Sequence, residues 1–354
     1  MTEPATGPPP EPGAYEAVPE REVSLARRVL NLRTIGSLIF GVALLVLLFR
    51  FVLNIDPASI WDRIAAADPL LLLLALLSYY ATFPLRGLRW AFVMGRVGSR
   101  IPVRDATEIL FLSWFVNCLV PAKLGDIYRA WLFKGNYGGS LSRTVGTIFI
   151  ERIADIVVIF GLALAAGYWS FRGRSRPEID ALFLAGFVMA AVLVVLVIGL
   201  RYLGARLTRF LPSRLADLYQ RFHEGSTGAL TAGSVPFIGL LTGLIWLAEG
   251  ARLFFVIKAL DLPGADLGIT ASLFVALTAS LLTAIPLTPA GVGFVEAGII
   301  GALAVYGVVA EPAAAVALTD RAISILSVIV LGGVVYATSG KVRRAHGAGR
   351  NGGP

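Results

Sequence analysis

Eight apolar stretches set the limits on what this chain can fold into, six of them continuous and two broken in the middle. The continuous ones cover residues 35–53, 70–94, 143–169, 181–203, 235–259 and 313–338. Each is near the ~20 residues that a helix needs to cross a bilayer. Only 15% of the residues are charged, against roughly 25% in a soluble domain. The chain therefore reads as an all-α polytopic membrane protein with about six full spans.

The two broken stretches are more informative. Residues 106–135 hold ILFLSWFVNCL and then VPAKLGDIYRAW, which sets Pro121, Lys123, Gly125, Asp126 and Arg129 directly after an apolar half-span. Residues 268–308 read GITASLFVALTASLLTAI, then PLTPAGVGFVE, then AGIIGALAVYG, with Pro286, Pro289, Gly291 and Gly293 at the break. Each pattern predicts two half-helices around a turn. Non-helical backbone at membrane depth is tolerated only where protein buries it or where it lines a wet cavity. Half-helix ends carry partial charges that can hold an ion or a polar headgroup. The breaks are therefore expected to be binding features.

Charge sets the expected orientation. Arg21, Arg27, Arg28 and Arg33 precede the first span, which places the N-terminus in the cytoplasm. Arg96, Arg100 and Arg104 then fall inside, and so do Lys134 and Arg143. Both ends of 106–135 are thus basic, as a re-entrant hairpin entering from the cytoplasm requires. Asp261, Asp266 and Glu311 flank 268–308, which reads as a hairpin entering from outside. Lys341, Arg343 and Arg344 put the C-terminus in the cytoplasm. Arg172, Arg174 and Arg176 fall outside and are the one exception.

The breaks also resemble each other. PAKLG at 121–125 and PAGVG at 289–293 are 168 residues apart, and Glu151-Arg152 and Asp320-Arg321 are 169 apart. Arg86 and Arg89 precede the first hairpin as Glu249 and Arg252 precede the second. Helix–hairpin–helix thus occurs twice, about 70–169 and about 235–338, in opposite orientations. That is an inverted-topology repeat of the kind transporters use.

Ionisable groups inside spans cost about 2.5–3.5 kcal/mol each on insertion scales, so they must face protein or water. The candidates are Asn117, Lys123, Asp126, Arg129, Glu151, Arg152, Asp155, Glu249, Arg252, Glu296, Asp320 and Arg321. Glu151 shares a face with Asp155, and Arg152 meets Asp155 at i,i+3. Asp126–Arg129 and Glu249–Arg252 have the same i,i+3 spacing. Each set fits either a structural ion-pair cluster or a transport cavity, and Lys123 can also snorkel to the interface. Glu296 opens a half-helix, where capping rivals ligand binding. Arg86 and Arg89 read as snorkelling side chains. RLTRFLPSRLADLYQRF reads as an interfacial amphipathic helix, with His223 at the surface.

Several function classes drop out. Net charge is +8, but the basic residues follow the loops and show no nucleic-acid pattern. Cys118, His223 and His346 offer no metal spacing, so neither metal nor cofactor is expected. Residues 1–34 and 341–354 read as a disordered, basic N-terminus and a disordered tail. The first lacks the features of a secretory signal, and neither has room for a soluble domain.

NCLVPAKLGDIYRAW, with Asn117, Pro121, Gly125, Asp126 and Arg129, resembles the N-x-x-x-P-x-x-x-G-[DE]-x-x-R pattern of the transmembrane region of lysylphosphatidylglycerol synthases and their stand-alone relatives. IERIAD (Glu151, Arg152, Asp155), IPLTPAGVGFVEAG (Pro286, Pro289, Gly291, Gly293, Glu296) and Arg321 are similar to its later motifs. The resemblance covers about 35–340; Ala290 stands where a second glycine is common. The bifunctional members continue into a soluble aminoacyl transferase, for which this chain has no room. The resemblance therefore implies the flippase half, not an enzyme: movement of a phospholipid, aminoacyl-phospholipid or lipid-linked sugar across the cytoplasmic membrane. A small-solute or ion secondary transporter, or an intramembrane enzyme acting on a lipid-linked substrate, stays open from the residues alone, as does homo-oligomerisation.

Overall fold

The computed structural model describes residues 56–120, 123–172, 212–231, 233–262, 267–282 and 288–351, with isolated positions in 36–47 and 184–199. The predicted spans 35–53 and 181–203, the N-terminal segment 1–34, and Pro121 and Pro286 fall outside the described residues, isolated positions apart. The described residues are helical and contain no strand.

Local chemistry starts the first two helices. Asp56 caps α1 (Pro57–Ala65) by accepting the Ala58 N–H at 3.2 Å. Asp68 caps α2 (Pro69–Arg96), accepting from Leu70 and Leu71. Each has proline in its first turn, where the missing N–H costs nothing.

α3 (Val103–Leu119) and α4 (Leu124–Tyr137) form the first broken pair, and α5 (Leu141–Phe171) follows. α6 (Ser213–Thr227) lies against the first turns of α5, where the Ser142 hydroxyl donates to Leu218 C=O. α7 (Val235–Ala259) leads to α8 (Ile269–Leu282), a 3-10 turn at Pro289–Gly291, and α9 (Phe294–Val305). α10 (Ala310–Arg321) continues through a π turn, Ala322–Leu326, into α11 (Ser327–Thr338). By length and composition α2, α7 and the joined α10–α11 are able to cross a membrane. They expose apolar side chains such as Leu77, Leu240 and Val330, as lipid-facing surfaces do.

α2 and α7 pack antiparallel. The Asp68 N–H at the start of α2 donates to the carbonyl of Ala259 at the end of α7. At the other end Arg96 donates to Thr231, and Phe92 meets Phe237. Mid-helix glycines let the next helix approach each of them. A Cβ at Gly87 would stand 2.0 Å from the Thr107 hydroxyl oxygen of α3, and one at Gly250 would stand 2.3 Å from Leu273 of α8. Two cores result. One joins α1 and the start of α2 to α7–α10; the other joins the rest of α2 to α3, α4 and the chain's last helix.

That last helix, α12 (Gly340–Asn351), corrects the expectation of a disordered tail. Val342 and Ala345 bury against the second core. Lys341 reaches Glu108 at 2.6 Å and Asp105 at 3.0 Å. Ser339 accepts the Lys341 N–H and donates to Glu108. Partial burial alone would lower the Lys341 pKa, but its bonds to Glu108 and Asp105 outweigh that and raise it. Burial likewise works to raise the Asp105 pKa. The hydrogen bond from Tyr137 and the Lys341 ammonium prevail and hold it below the usual carboxylate value. Composition alone hid this helix, because its docking uses two small apolar residues and one lysine.

Candidate functional site

The first break follows from its backbone partners. After Leu119 the chain extends at Val120 (φ −125°, ψ 135°), and Lys123 is left-handed (φ 52°, ψ 35°) before α4 begins. A side chain in that region costs about 1–2 kcal/mol. The Asn117 side-chain oxygen accepts the Gly125 N–H at 2.8 Å, and the Ser113 hydroxyl donates to the Gly125 carbonyl at 2.8 Å. A Cβ at Gly125 would lie 2.0 Å from the Ser113 carbonyl oxygen, so only glycine lets α3 and α4 meet this closely.

The second break uses related devices. Gly291 (φ 73°) occupies the place 168 residues after Lys123 and is also left-handed. Ala290 (φ 51°) and Gly293 (φ 92°) are left-handed beside it, and Pro289 opens the 3-10 turn. Glu296 does two things at once. One oxygen accepts the Gly293 N–H at 2.6 Å, capping α9, and the other accepts from Arg321 at 3.0 Å. Arg321 also donates to the Ala290 carbonyl.

Between the breaks lies a cavity of about 140 Å³. Lys123 and Asn117 face it from the first break, and Ala290 and Gly291 from the second. Arg152, Glu249, Arg252, Asp320 and Arg321 supply its charged wall; Tyr79, Trp114 and Trp246 supply aromatic surface. Asp126, Arg129, Glu151, Asp155 and Glu296 stand behind this wall rather than in it.

The pairing follows the fold, not sequence proximity. Arg152 binds Asp126 through two bonds, 2.8 and 3.1 Å, and lies 3.8 Å from Asp155. Arg129 turns away from Asp126 to Glu151 at 2.6 Å, its guanidinium 3.9 Å from the Trp90 ring centroid. The predicted Glu249–Arg252 pair forms at 3.2 Å, and Arg252 also binds Asp320. Arg86 and Arg89 correct the snorkelling expectation: both are fully buried at the centre of the network. Arg86 holds Glu249 at 3.0 Å between Trp114 and Trp246. Arg89 holds Asp155 at 2.6 Å, donates to Thr242, and lies 3.4 Å from Glu151. Trp246 adds an N–H to Asp155. The sequence carries a trace of this: Arg86 and Arg89 precede Glu249 and Arg252 by the same 163 residues.

The same kinds of ion pair recur in the two stretches. Arg152–Asp126 in α5 and α4 matches Arg321–Glu296 in α10 and α9. Arg89–Glu151 matches Arg252–Asp320. Arg86–Glu249 and Trp246–Asp155 then tie one half to the other. The arrangement offers a polar, charged group guanidinium donors, an ammonium, aromatic faces and two helix N-termini. Among the described residues, no group of three or more His, Cys, Asp or Glu is placed to hold a metal ion.

Comparison with known proteins agrees with this setting. The family described as "Lysylphosphatidylglycerol synthase TM region" matches residues 34–332. A UPF0104 membrane protein of Methanocaldococcus jannaschii is 34% identical over 222 residues, 63% of this chain and 93% of that protein. A UPF0104 membrane protein of Methanothermobacter thermautotrophicus is 27% identical over 311 residues, 82% of this chain and 90% of that one. The glycosyltransferase AglD of Haloferax volcanii is 27% identical over 340 residues, 84% of this chain but 53% of that protein.

Proposed function

The chain belongs to the lysylphosphatidylglycerol synthase transmembrane-region family, and on that premise we propose that it is a lipid flippase of the cytoplasmic membrane. It carries a polar headgroup through the cavity between the two breaks while the acyl chains stay in lipid. The observation that carries this reading is the cavity itself, walled by charged side chains from both halves of the chain.

An inverted repeat, about 70–169 and about 235–338, gives the cavity its means of alternating exposure. Supporting it are the antiparallel α2 and α7, the two broken pairs that follow them, and the matched ion pairs. In this reading both termini are cytoplasmic, and the first break opens to the cytoplasm while the second opens outward. The protein moves its cargo and makes no bond in it. Sugar-bearing lipids join the cargo panel because one relative is named a glycosyltransferase.

The test is reconstitution of the pure protein in liposomes carrying fluorescent anionic, aminoacylated or prenyl-linked sugar lipids. Transfer between leaflets above that of empty vesicles is expected for at least one class. No transfer for any class, with solute uptake under a pH or sodium gradient, would overturn the reading in favour of a small-solute transporter.

A further inference from the structure

The charges around the cavity do not cancel. In the buried network six arginines and six carboxylates answer one another, each with at least one partner of opposite sign. Lys123 is a seventh cation. It lines the same cavity and forms no ion pair with any described residue.

Its backbone makes this less incidental. The second break puts glycine at the matching left-handed place, Gly291, whereas the first puts lysine there. A bulky side chain held against its backbone preference, in a cavity wall, marks a functional position. Lys123 is also the N-cap of α4, so the partial positive charge of that helix end adds to its own. A lysine ammonium is a compact point charge with three donors, suited to a phosphate oxygen.

We propose that Lys123 binds the phosphate of the cargo headgroup, and that this headgroup carries one net negative charge: a phosphodiester lipid with no other ionised group. The proposal rests on the lipid-translocation reading. Lys123 is half-buried; an uncompensated charge partly withdrawn from water is costly, and one monoanion restores balance. A headgroup of net positive charge would meet Lys123 with nothing to oppose it, and a dianion would leave one charge over.

Trp114 and Trp246 in the cavity wall supply a binding signal independent of transport. Purified full-length protein is titrated with short-chain phosphatidylglycerol, followed by tryptophan fluorescence, for the wild type, Lys123→Gly and Lys123→Arg. Glycine takes the left-handed backbone without strain, so Lys123→Gly should melt no lower than wild type. It should nevertheless bind about tenfold more weakly or worse, while Lys123→Arg stays within about threefold of wild type. Short-chain phosphatidylcholine should bind the wild type about tenfold more weakly than phosphatidylglycerol. Equal binding of phosphatidylglycerol by wild type and Lys123→Gly overturns the proposal, and equal binding of the two lipids overturns its net-charge part. Lys123-dependent binding of free glycerol phosphate, without lipid binding, reassigns the site to a soluble phosphoester and overturns the lipid assignment. Vesicle transport separates the two readings. If phosphatidylglycerol binds through Lys123 but never changes leaflet, the binding proposal stands and the flippase reading falls. If wild type and Lys123→Gly move it equally well, the reverse holds.

Discussion

Arg86 of α2 holds Glu249 of α7 at 3.0 Å, with both side chains buried and aromatic rings around the guanidinium. This ion pair joins the two halves of the molecule at the wall of the cavity. Removing one partner of a buried pair leaves an uncompensated charge and costs about 3–5 kcal/mol. Arg86→Leu and Glu249→Leu should each lower stability by that amount. The double variant, Arg86→Leu with Glu249→Leu, should lose less than the sum of the two. Thermal unfolding of the four proteins measures the coupling, and additive losses would contradict the pairing.

Gly125 has no room for a side chain, whereas nothing lies within 4 Å of a Cβ at Gly161 in α5. Gly125→Ala should therefore cost about 1–3 kcal/mol through overpacking and weaken transport, since it drives α3 and α4 apart at the break. Gly161→Ala should be neutral or gain up to about 1 kcal/mol of helix stability. Similar melting temperatures for the two variants would rule out the close approach at the break.

The proposed opposed entry of the two broken pairs predicts opposed accessibility. In a Cys118→Ser background, Arg100→Cys precedes the first pair and Val309→Cys follows the second. Both sites are exposed. A membrane-impermeant maleimide should label position 100 only from the cytoplasmic face and position 309 only from the other. Labelling of both from one side would end the inverted-repeat reading.

The docking of α12 should depend on its one lysine and be flat across ordinary pH. Lys341→Met should lose about 1–2 kcal/mol of that docking and raise amide exchange in residues 340–351. The folded pKa of Lys341 lies above its unfolded value of about 10.4, so its contribution is full below that pH and fades as pH rises through the folded value. The folded pKa of Asp105 lies below about 3.9, so its contribution is full above that pH and fades as pH falls through the folded value. Protection factors in α12, exchange rates corrected for their intrinsic pH dependence, that change steeply near neutral pH would contradict these signs.

Much of this architecture was legible in the sequence, because hydrophobic length and proline–glycine punctuation are local signals. They locate α2, α5, α7, α10–α11 and both breaks. Pairing inside the membrane was less legible, because helical spacing sees only one helix. Asp126 and Arg129 have the spacing of partners, yet each binds a residue of α5. Arg86 and Arg89 look like interface cations until the antiparallel α7 supplies Glu249 and Thr242. The wall of the cavity is thus a property of helix order in space. Only the repeated spacing of charged residues carries a trace of it along the chain.

The clasp of α12 on the first broken pair also orders assembly in time. Asn136 of α4 donates to the carbonyl of Lys341, 205 residues later. At a synthesis rate of about 5–20 residues per second, that partner emerges on the order of 10–40 s after α4 does. Until then the α3–α4 pair lacks this brace, with Glu108 waiting for its cation. A ribosome that stalls or releases early would leave such a chain inserted but unlatched, and exposed to quality-control proteases.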